Sequence, residues 1–375
     1  METGGIRLSD TNYQCIGCGV MIQTQTPEAK GYLPQSALNK GIERGEFYCQ
    51  RCFRLRHYNE LQDVELDEDD FLAQLDQISE DDAYVIHVLD VFDIEGSIIS
   101  GLPRFIGQQP FAVAVNKVDL LPKSVKLPRL RHWVEQVLHR NGLKPEEVIL
   151  VSASKGHHLE NLTKVIEREV HKRNVYMVGV TNVGKSTLIN RLIQHYGGDK
   201  EVITTSDTPG TTLDQIQIPL TDNYSLIDTP GLIRSNQMSY YLSREEMAQV
   251  LPRKQLKPRT FQLNPEQTLF LAGLARIDFL EGAKTAFTFY VSNDLYLHRT
   301  KLEQADTIYT KHVGDMLRPP GKPEALPELI SRRIRLEADQ DIAISGLGWF
   351  TVNQAVELDV WLPKGVGMSI RPAML

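Results

Sequence analysis

The sequence of 375 residues contains only four cysteines, no long apolar run and no excess of basic residues. Its apolar runs stop well short of the ~18 residues that a membrane-spanning helix requires, so we expect no membrane partner. The first ten residues, METGGIRLSD, show neither the apolar core of a secretory signal nor the Arg-rich pattern of an import signal. We therefore expect a cytoplasmic protein, in which disulfide bonds are rare.

The net charge of −7 is unevenly distributed along the chain. Residues 63–82 contain ten acidic residues and no Lys or Arg, and taking these ten away leaves +3 for the remainder. Such a run indicates a solvated linker or a first helix, with an acidic interaction tail as the alternative. The overall acidity therefore does not exclude an RNA partner.

The four cysteines form two C-x-x-C pairs, Cys15 with Cys18 and Cys49 with Cys52. Two such pairs can direct four thiolates at one tetrahedral ion, which predicts a structural Zn²⁺ site. With four protein ligands, the ion would keep no open position for catalysis. A redox-active pair is the alternative.

The dominant motif lies in residues 175–190, VYMVGVTNVGKSTLIN. An apolar strand is followed by G-x-x-x-x-G-K-S and then by helical apolar spacing, which is the pattern of a P-loop. Its backbone amides and the helix N-terminus would hold the phosphates of a nucleotide. Lys185 would reach the β- and γ-phosphates, and the Ser186 hydroxyl would bind Mg²⁺. The predicted phosphate-binding set is Gly179, Thr181, Asn182, Val183, Gly184, Lys185, Ser186 and Thr187.

A second motif predicts that the base is guanine. Asn116-Lys117-Val118-Asp119 follows a buried strand, and the Asp119 carboxylate can accept the two N–H groups of the guanine edge. Adenine would leave that carboxylate unpaired, which allows discrimination by about 10⁴-fold. Asn116 would brace the loop, and the stem of Lys117 would lie along the ring. Ser152-Ala153-Ser154-Lys155 would form the other wall, with the Ala153 amide directed to the guanine O6.

The catalytic side is predicted from Asp228-Thr229-Pro230-Gly231, a D-x-x-G motif after a strand. Asp228 would hold Mg²⁺ through water and the Gly231 amide would bind the γ-phosphate, while Thr212, or alternatively Thr211, would close over the metal. Leu232 follows where Ras-like enzymes place a water-orienting glutamine. The side-chain oxygen of Asn182 could instead hold K⁺ near the phosphates, so we expect slow hydrolysis that depends on K⁺ or on a partner.

The strand and helix pattern predicts an α/β doubly wound domain over residues 62–232, after a zinc module at 1–61 and before a β-rich α+β domain at 233–375. Buried-strand runs lie at 83–90, 111–115, 148–151, 216–220 and 224–227, and helical spacing lies at 127–140 and 159–170. In the last domain we predict helices at 243–254, which becomes basic, and at 303–317. We identify no repeat.

The motifs follow one another in an unusual order, N-K-x-D, S-A-S-K, P-loop and D-x-x-G, although the P-loop comes first in most GTPases. This circular permutation, behind a paired C-x-x-C module, closely resembles the YqeH family of circularly permuted GTPases. The resemblance implies assembly of the small ribosomal subunit, an RNA-binding C-terminal domain, K⁺ activation through Asn182, and an apolar residue at Leu232 in place of the catalytic glutamine.

Three functions remain open at this point. The favoured one is a monomeric GTP-hydrolysing switch that binds rRNA or a pre-ribosomal particle. Its contacts would be the zinc module and the basic residues Arg253, Lys254, Lys257 and Arg259, which also fit an ordinary exposed helix end. A non-catalytic GTP-sensing module that binds nucleic acid is the second, and a P-loop enzyme phosphorylating a small molecule is the third.

Overall fold

The computed structural model of the chain describes residues 13–16, 20–27, 29, 31–45, 47–50, 52–54, 65–66, 68–196 and 216–375. Within these ranges, no helix combines the length and the apolar character needed to cross a membrane. The described residues form a small cysteine-containing module, a mostly parallel α/β sheet, and two antiparallel sheets packed on each other.

The N-terminal module contains helix α1 (Gln35–Arg44), which ends at Gly45 in the left-handed conformation. Three of the cysteines, Cys15, Cys49 and Cys52, are buried in a small core of their own. A core this small cannot stabilise a fold by apolar burial alone, which is the usual reason for a structural metal.

The α/β region follows, and its elements are β1 (Glu65–Leu66), α2 (Glu68–Ser79), β2 (Ala83–Asp90), α3 (Ile94–Ser97), α4 (Leu102–Phe105), β3 (Phe111–Asn116), α5 (Leu127–Arg140), β4 (Val148–Leu150), α6 (Leu159–Val170), β5 (Asn174–Val178), α7 (Lys185–Tyr196), β6 (Ile216–Pro219), β7 (Ser225–Asp228) and β8 (Gly231–Leu232). In this part of the chain one sheet has the order β4-β3-β2-β5-β7-β6, and only β6 runs antiparallel to its neighbour.

The central strands of this sheet are buried on both faces, which explains their continuous apolar sequences. The acidic run of residues 63–82 includes α2, and that helix buries Phe71, Leu75 and Ile78 completely. Spacing of four and three residues puts these side chains on one face, and Asp69, Asp70 and Asp76 are exposed. The run therefore contains a core-packed amphipathic helix.

The strand order places the carboxyl ends of β2, β3, β4, β5 and β7 along one edge of the sheet. The N-K-x-D, S-A-S-K, P-loop and D-x-x-G motifs each begin at one of these ends, and ligands of open α/β sheets bind at such an edge. Although the P-loop follows the guanine motifs in the chain, its strand β5 lies beside β2 in the sheet. The predicted fold, a circularly permuted P-loop GTPase sheet, is confirmed.

The C-terminal region begins with α8 and contains ten strands, and its elements are α8 (Arg244–Val250), β9 (Arg259–Leu263), β10 (Gln267–Leu271), β11 (Ala275–Gly282), β12 (Thr285–Tyr290), β13 (Leu297–Lys301), α9 (Ala305–His312), β14 (Leu329–Leu336), β15 (Gln340–Ile344), β16 (Gly348–Val352), β17 (Val356–Pro363) and β18 (Met368–Pro372). The ten strands form two five-stranded sheets, β13-β10-β11-β17-β14 and β18-β15-β16-β12-β9. A shared core that includes Phe279, Phe287 and Phe350 lies between the sheets.

These two sheets reveal an internal repeat, so the prediction of no repeat is wrong. Strands β9–β13 correspond in order to strands β14–β18. Replacing each strand of the first sheet, β13-β10-β11-β17-β14, by its counterpart gives β18-β15-β16-β12-β9, which is the order of the second sheet. The register agrees, since Arg276 pairs with Trp361 in one sheet and Trp349 with Tyr290 at the matching place in the other. Arg276 and Trp349 differ in type, but the pattern L-x-L-x-G-L at 269–274 matches I-x-I-x-G-L at 342–347, which was a usable sequence signal for the repeat.

The GTPase sheet packs against the second of these sheets. Leu256, Ala343, Trp349 and Met374 belong to the same apolar core as the α/β region. Trp133 on α5 donates to the carbonyl of Pro372 at 3.0 Å, and the Arg371 guanidinium lies 4.9 Å from the Trp133 ring centre. The C-terminal domain is thus joined to the GTPase sheet by packing as well as by the chain.

Two helix predictions in this region are wrong at their ends. The helix expected over 243–254 ends at Val250, because Pro252 cannot continue it. The basic residues Arg253, Lys254 and Lys257 therefore lie exposed on a segment without regular secondary structure. The helix expected over 303–317 is shorter and ends at His312.

Candidate functional site

The P-loop, residues 179–184, connects β5 to α7 with the backbone curled as the motif requires. Asn182 has a φ of +65° and Gly184 a φ of +82°. Gly184 is needed for a second reason, since a Cβ there would lie only 2.6 Å from Nδ2 of Asn116. The loop leads directly into the first turn of α7, whose free amides and dipole favour an anion.

Lys185 and Asp228 form a buried pair at the centre of the site. The Lys185 Nζ lies 2.5 Å from Oδ1 of Asp228, with the side chains only 5% and 2% exposed. Lys185 also donates to the carbonyl of Thr229. To reach the phosphates of a nucleotide, Lys185 must therefore exchange these partners. Ser186 is buried in the next position of the helix, and Thr187 is exposed.

The D-x-x-G segment lies against the P-loop as a short parallel strand. The amide of Thr181 donates to the carbonyl of Leu232 at 2.9 Å, and the amide of Leu232 donates to Gly179 at 3.2 Å. Gly231 is thereby held so close to the loop that a Cβ on it would lie 3.3 Å from Cγ2 of Thr181. Leu232 is 1% exposed and packs in the core, so its side chain cannot orient a water molecule.

The guanine motifs meet through Asn116 and Asp119. Nδ2 of Asn116 donates to the P-loop carbonyl of Val183 at 2.9 Å, so Asn116 braces the loop. Asp119 is held from the other motif, because Ser152 Oγ donates to its Oδ1 at 2.6 Å and Ser154 Oγ to its Oδ2 at 3.1 Å. These hydroxyls fix the carboxylate in one orientation, while each oxygen keeps a further lone pair for a ligand.

One of the predicted contacts differs in detail. The amide of Ala153, expected to face the guanine O6, donates at 3.0 Å to Oδ1 of Asn116. Lys117 donates to the P-loop carbonyl of Asn182 and lies beside the loop, in the left-handed conformation. The side chain of Lys155 is exposed, and its amide donates to Ser152 Oγ at 3.1 Å.

Sequence reasoning missed two residues of this site. Asp90, at the end of β2, pairs with Lys117 at 2.7 Å. Its position at the end of a buried strand, as for Asn116, was a usable signal. Arg191 on α7 donates to the carbonyls of Ala153 at 3.0 Å and Ser154 at 3.1 Å, and an arginine on a helix surface gives no sequence signal.

The cysteine cluster is only partly described, because Cys18 lies outside the described residues, as do Thr211 and Thr212 of the predicted Mg²⁺ loop. The thiol sulfurs of Cys15, Cys49 and Cys52 all lie within 4.8 Å of one another. The amide of Cys49 donates to the Cys15 sulfur at 3.2 Å, a bond that stabilises a thiolate. Three converging sulfurs fit a soft, tetrahedral ion such as Zn²⁺.

Two family models match the chain. One, described as YqeH-like, C-terminal, matches residues 284–374. The other, described as 50S ribosome-binding GTPase, matches residues 174–262.

Three relatives, two of which match over nearly the whole of this chain, agree with these matches. The protein named uncharacterized protein YqeH from Bacillus subtilis (strain 168) is 47% identical over 365 residues, which cover 96% of this chain and 99% of the relative. The NO-associated protein 1, chloroplastic/mitochondrial, of Arabidopsis thaliana is 27% identical over 98% of this chain and 78% of its own length. A GTPase Der from Coxiella burnetii (strain Dugway 5J108-111) is 37% identical over 41% of this chain and 34% of its own.

Among solved structures, YjeQ from Thermotoga maritima is 22% identical with a TM-score of 0.27, over 42% of this chain and 52% of that one. At that score the likeness adds nothing to the argument from topology. The identity to the Bacillus protein extends over nearly the whole of both chains, and the sheet carries its guanine-nucleotide motifs in permuted order. The chain therefore belongs to the YqeH family of circularly permuted GTPases.

Proposed function

We propose that this GTPase is a cytoplasmic switch in ribosome biogenesis, which acts on the small subunit or its precursor by binding rRNA. The observation that carries the proposal is the convergence of the P-loop, the D-x-x-G segment and Asp119 at one sheet edge, next to a domain that packs on the same sheet. Such an arrangement can make the position of a second domain depend on the bound nucleotide.

In the proposed site, the carboxylate of Asp119 selects guanine and Asn116 keeps the base loop on the P-loop. Lys185 leaves Asp228 for the β- and γ-phosphates. With Ser186 and Thr212, Asp228 would hold Mg²⁺, an ion that neutralises developing charge on the phosphates. The Gly231 amide binds the γ-phosphate.

Potassium is proposed to supply the positive charge that an arginine finger supplies in other GTPases. Leu232 is buried, so the residue after D-x-x-G has no group that can act on water. Asn182 is exposed in the P-loop, with its backbone in the left-handed region. An amide oxygen at that place can ligate a monovalent cation beside the phosphates.

The proposed contact surface for rRNA is smaller than the sequence implies. Arg253, Lys254 and Lys257 are exposed. Arg259, in contrast, donates to the carbonyls of Leu295 at 2.6 Å and Ser292 at 2.9 Å. Burial also lowers the pKa of its guanidinium. We therefore propose Arg259 as a structural residue and the other three as candidate phosphate contacts, together with a zinc-bound N-terminal module.

The partner is tested by co-sedimentation with purified 30S and 50S subunits, in GTP, GDP or a non-hydrolysable analogue. Both subunits are needed because one matching family model is described by 50S binding. We expect nucleotide-dependent binding to 30S that weakens as salt rises. Binding to 50S alone, or to neither subunit in any nucleotide, would contradict the proposal.

The hydrolytic step is tested separately by phosphate release in KCl and in NaCl at equal ionic strength. We expect faster release in KCl, and loss of that stimulation in Asn182→Ala. The Lys185→Ala variant should release no phosphate in either salt. Equal rates in both salts would contradict the role of Asn182 without affecting the ribosomal part of the proposal.

A further inference from the structure

Residues 90–97 connect the nucleotide site to the C-terminal domain and have no role in the site as predicted from the sequence. The segment starts with Asp90 at the end of β2 and ends with the short helix α3 (Ile94–Ser97). Asp90 and Asp93 are both buried, at 7% and 8% exposure. Buried carboxylates require partners, and the partners of these two lie in different domains.

Asp90 holds the lysine of the guanine motif. Its Oδ2 accepts from Lys117 Nζ at 2.7 Å, while its Oδ1 accepts from the amide of Phe92 at 2.9 Å. Lys117 in turn donates to the P-loop carbonyl of Asn182. The position of the Lys117 stem, on which the guanine ring would lie, is therefore set by Asp90 and the P-loop together.

Phe92 and Asp93 contact the C-terminal domain. The Phe92 ring centre lies 6.1 Å from that of Trp349. Oδ2 of Asp93 accepts from Ser345 Oγ at 3.1 Å and from the Gly346 amide at 2.8 Å, both in the turn between β15 and β16.

Asp93 also binds the segment that follows D-x-x-G. Its Oδ2 accepts from Gln237 Nε2 at 3.1 Å, and its Oδ1 accepts from the Gly96 amide at 3.2 Å. Burial and the charges of Asp90 and Glu95 raise the pKa of Asp93 to about 6. Above that pH the group is an anion that holds three parts of the chain together.

We propose that Asp90 is a positioning residue for guanine-nucleotide binding, and that residues 90–97 transmit the position of Lys117 to the turn at Ser345 and Gly346. The inference rests on the proposed nucleotide site, since it requires Lys117 beside the base. A coupling of this kind is reciprocal, so loosening the turn in the C-terminal domain must change guanine-nucleotide affinity. Direct tests of such coupling need double-mutant cycles.

The first test is a cycle of Asp90→Asn and Lys117→Met in the full-length protein, read as the rate of fluorescent GDP release. Asn at position 90 keeps an acceptor for the Phe92 amide and removes the charge that holds Lys117. We expect each single variant to release GDP about tenfold faster, and the double variant to be no faster than Lys117→Met. Multiplying effects in the double variant would overturn the positioning role.

The second test concerns transmission and uses Ser345→Ala, with Ser331→Ala, at an exposed position of β14, as the control. Both remove one hydroxyl from the same domain, and only Ser345 contacts Asp93. We expect GDP affinity to fall about threefold in Ser345→Ala and to stay unchanged in Ser331→Ala. Equal affinities in both variants would overturn the transmission, and thermal unfolding shows whether each variant is folded.

The two levels of failure are distinguishable. If the wild-type protein does not bind GDP, the proposed nucleotide site fails. If the wild type binds GDP and Lys117→Met weakens it while Asp90→Asn does not, only this inference fails.

Discussion

The buried pair of Lys185 and Asp228 makes a prediction about the nucleotide-free protein. Substitution of Lys185 by Ala removes the positive charge that pairs with the Asp228 carboxylate, whose side chain is 2% exposed. Breaking a buried ion pair from one side costs about 3–5 kcal/mol, mainly because the remaining charge stays desolvated. We therefore expect Lys185→Ala to be destabilised by about that amount before any nucleotide is added, in addition to losing hydrolysis.

The double variant Lys185→Met with Asp228→Asn separates the charge from the packing. Because neither position then carries a charge, most of the lost stability should return, to within about 1–2 kcal/mol of the wild type. Hydrolysis should remain absent. Lys172→Ala is the matched control, since Lys172 is 54% exposed and lies 3.6 Å from Glu169. Its effect should stay within about 0.5 kcal/mol.

The assay is urea denaturation, with amide hydrogen exchange of β5 and β7 to assign the loss to the GTPase sheet. GDP at about 100 times its Kd should raise the wild-type stability by about 2.7 kcal/mol and leave Lys185→Ala unchanged. A Lys185→Ala protein that unfolds within about 1 kcal/mol of the wild type without nucleotide would refute the reasoning. The ion pair would then contribute no stability that a bound nucleotide would have to replace.

Three further predictions concern the guanine carboxylate, the buried leucine and the cysteines. Asp119→Ala should reduce the preference for GTP over ATP by up to about 10⁴-fold in competition binding, and an unchanged preference would contradict its role. Leu232→Gln should lower the free energy of unfolding by about 1–3 kcal/mol, because it buries an amide in the core, and should not speed phosphate release. Cys49→Ser, or zinc chelation, should unfold the N-terminal module, as measured by circular dichroism. Basal GTP hydrolysis should stay within about twofold of the wild-type rate, because the cysteines form a core separate from that of the GTPase sheet.

The coupling between the domains has two routes in this structure. Residues after Gly231 form the covalent connection, as the permuted motif order predicts. Residues 90–97 form a second, non-covalent one through Asp93 and Ser345. We expect the C-terminal domain to change orientation between the GTP and GDP states, and scattering profiles that superimpose in both states would contradict this.

Some features of the site were predictable because they depend only on residues within one motif. Gly184 must be glycine for a local reason, its positive φ, and the motif already demands it. The clamp of Arg191 on the carbonyls of Ala153 and Ser154 was not predictable, because the residues are 38 and 37 positions apart. Their meeting depends on how α7 packs beside the loop after β4.

The sequence alone determined which chemical groups the site contains and which stretches form strands and helices of the GTPase sheet, because residue type and apolar period act over a few neighbouring positions. The tertiary structure alone decided that Asp90 holds Lys117 and that Asp93 binds the turn at Ser345. It also decided that β9 and β12 pair in the sheet of β15, β16 and β18, while β14 and β17 pair in the sheet of β10, β11 and β13. These contacts join residues far apart in the chain, 252 positions in the case of Asp93 and Ser345. Only the packing of whole layers brings such residues together, and no local pattern encodes it.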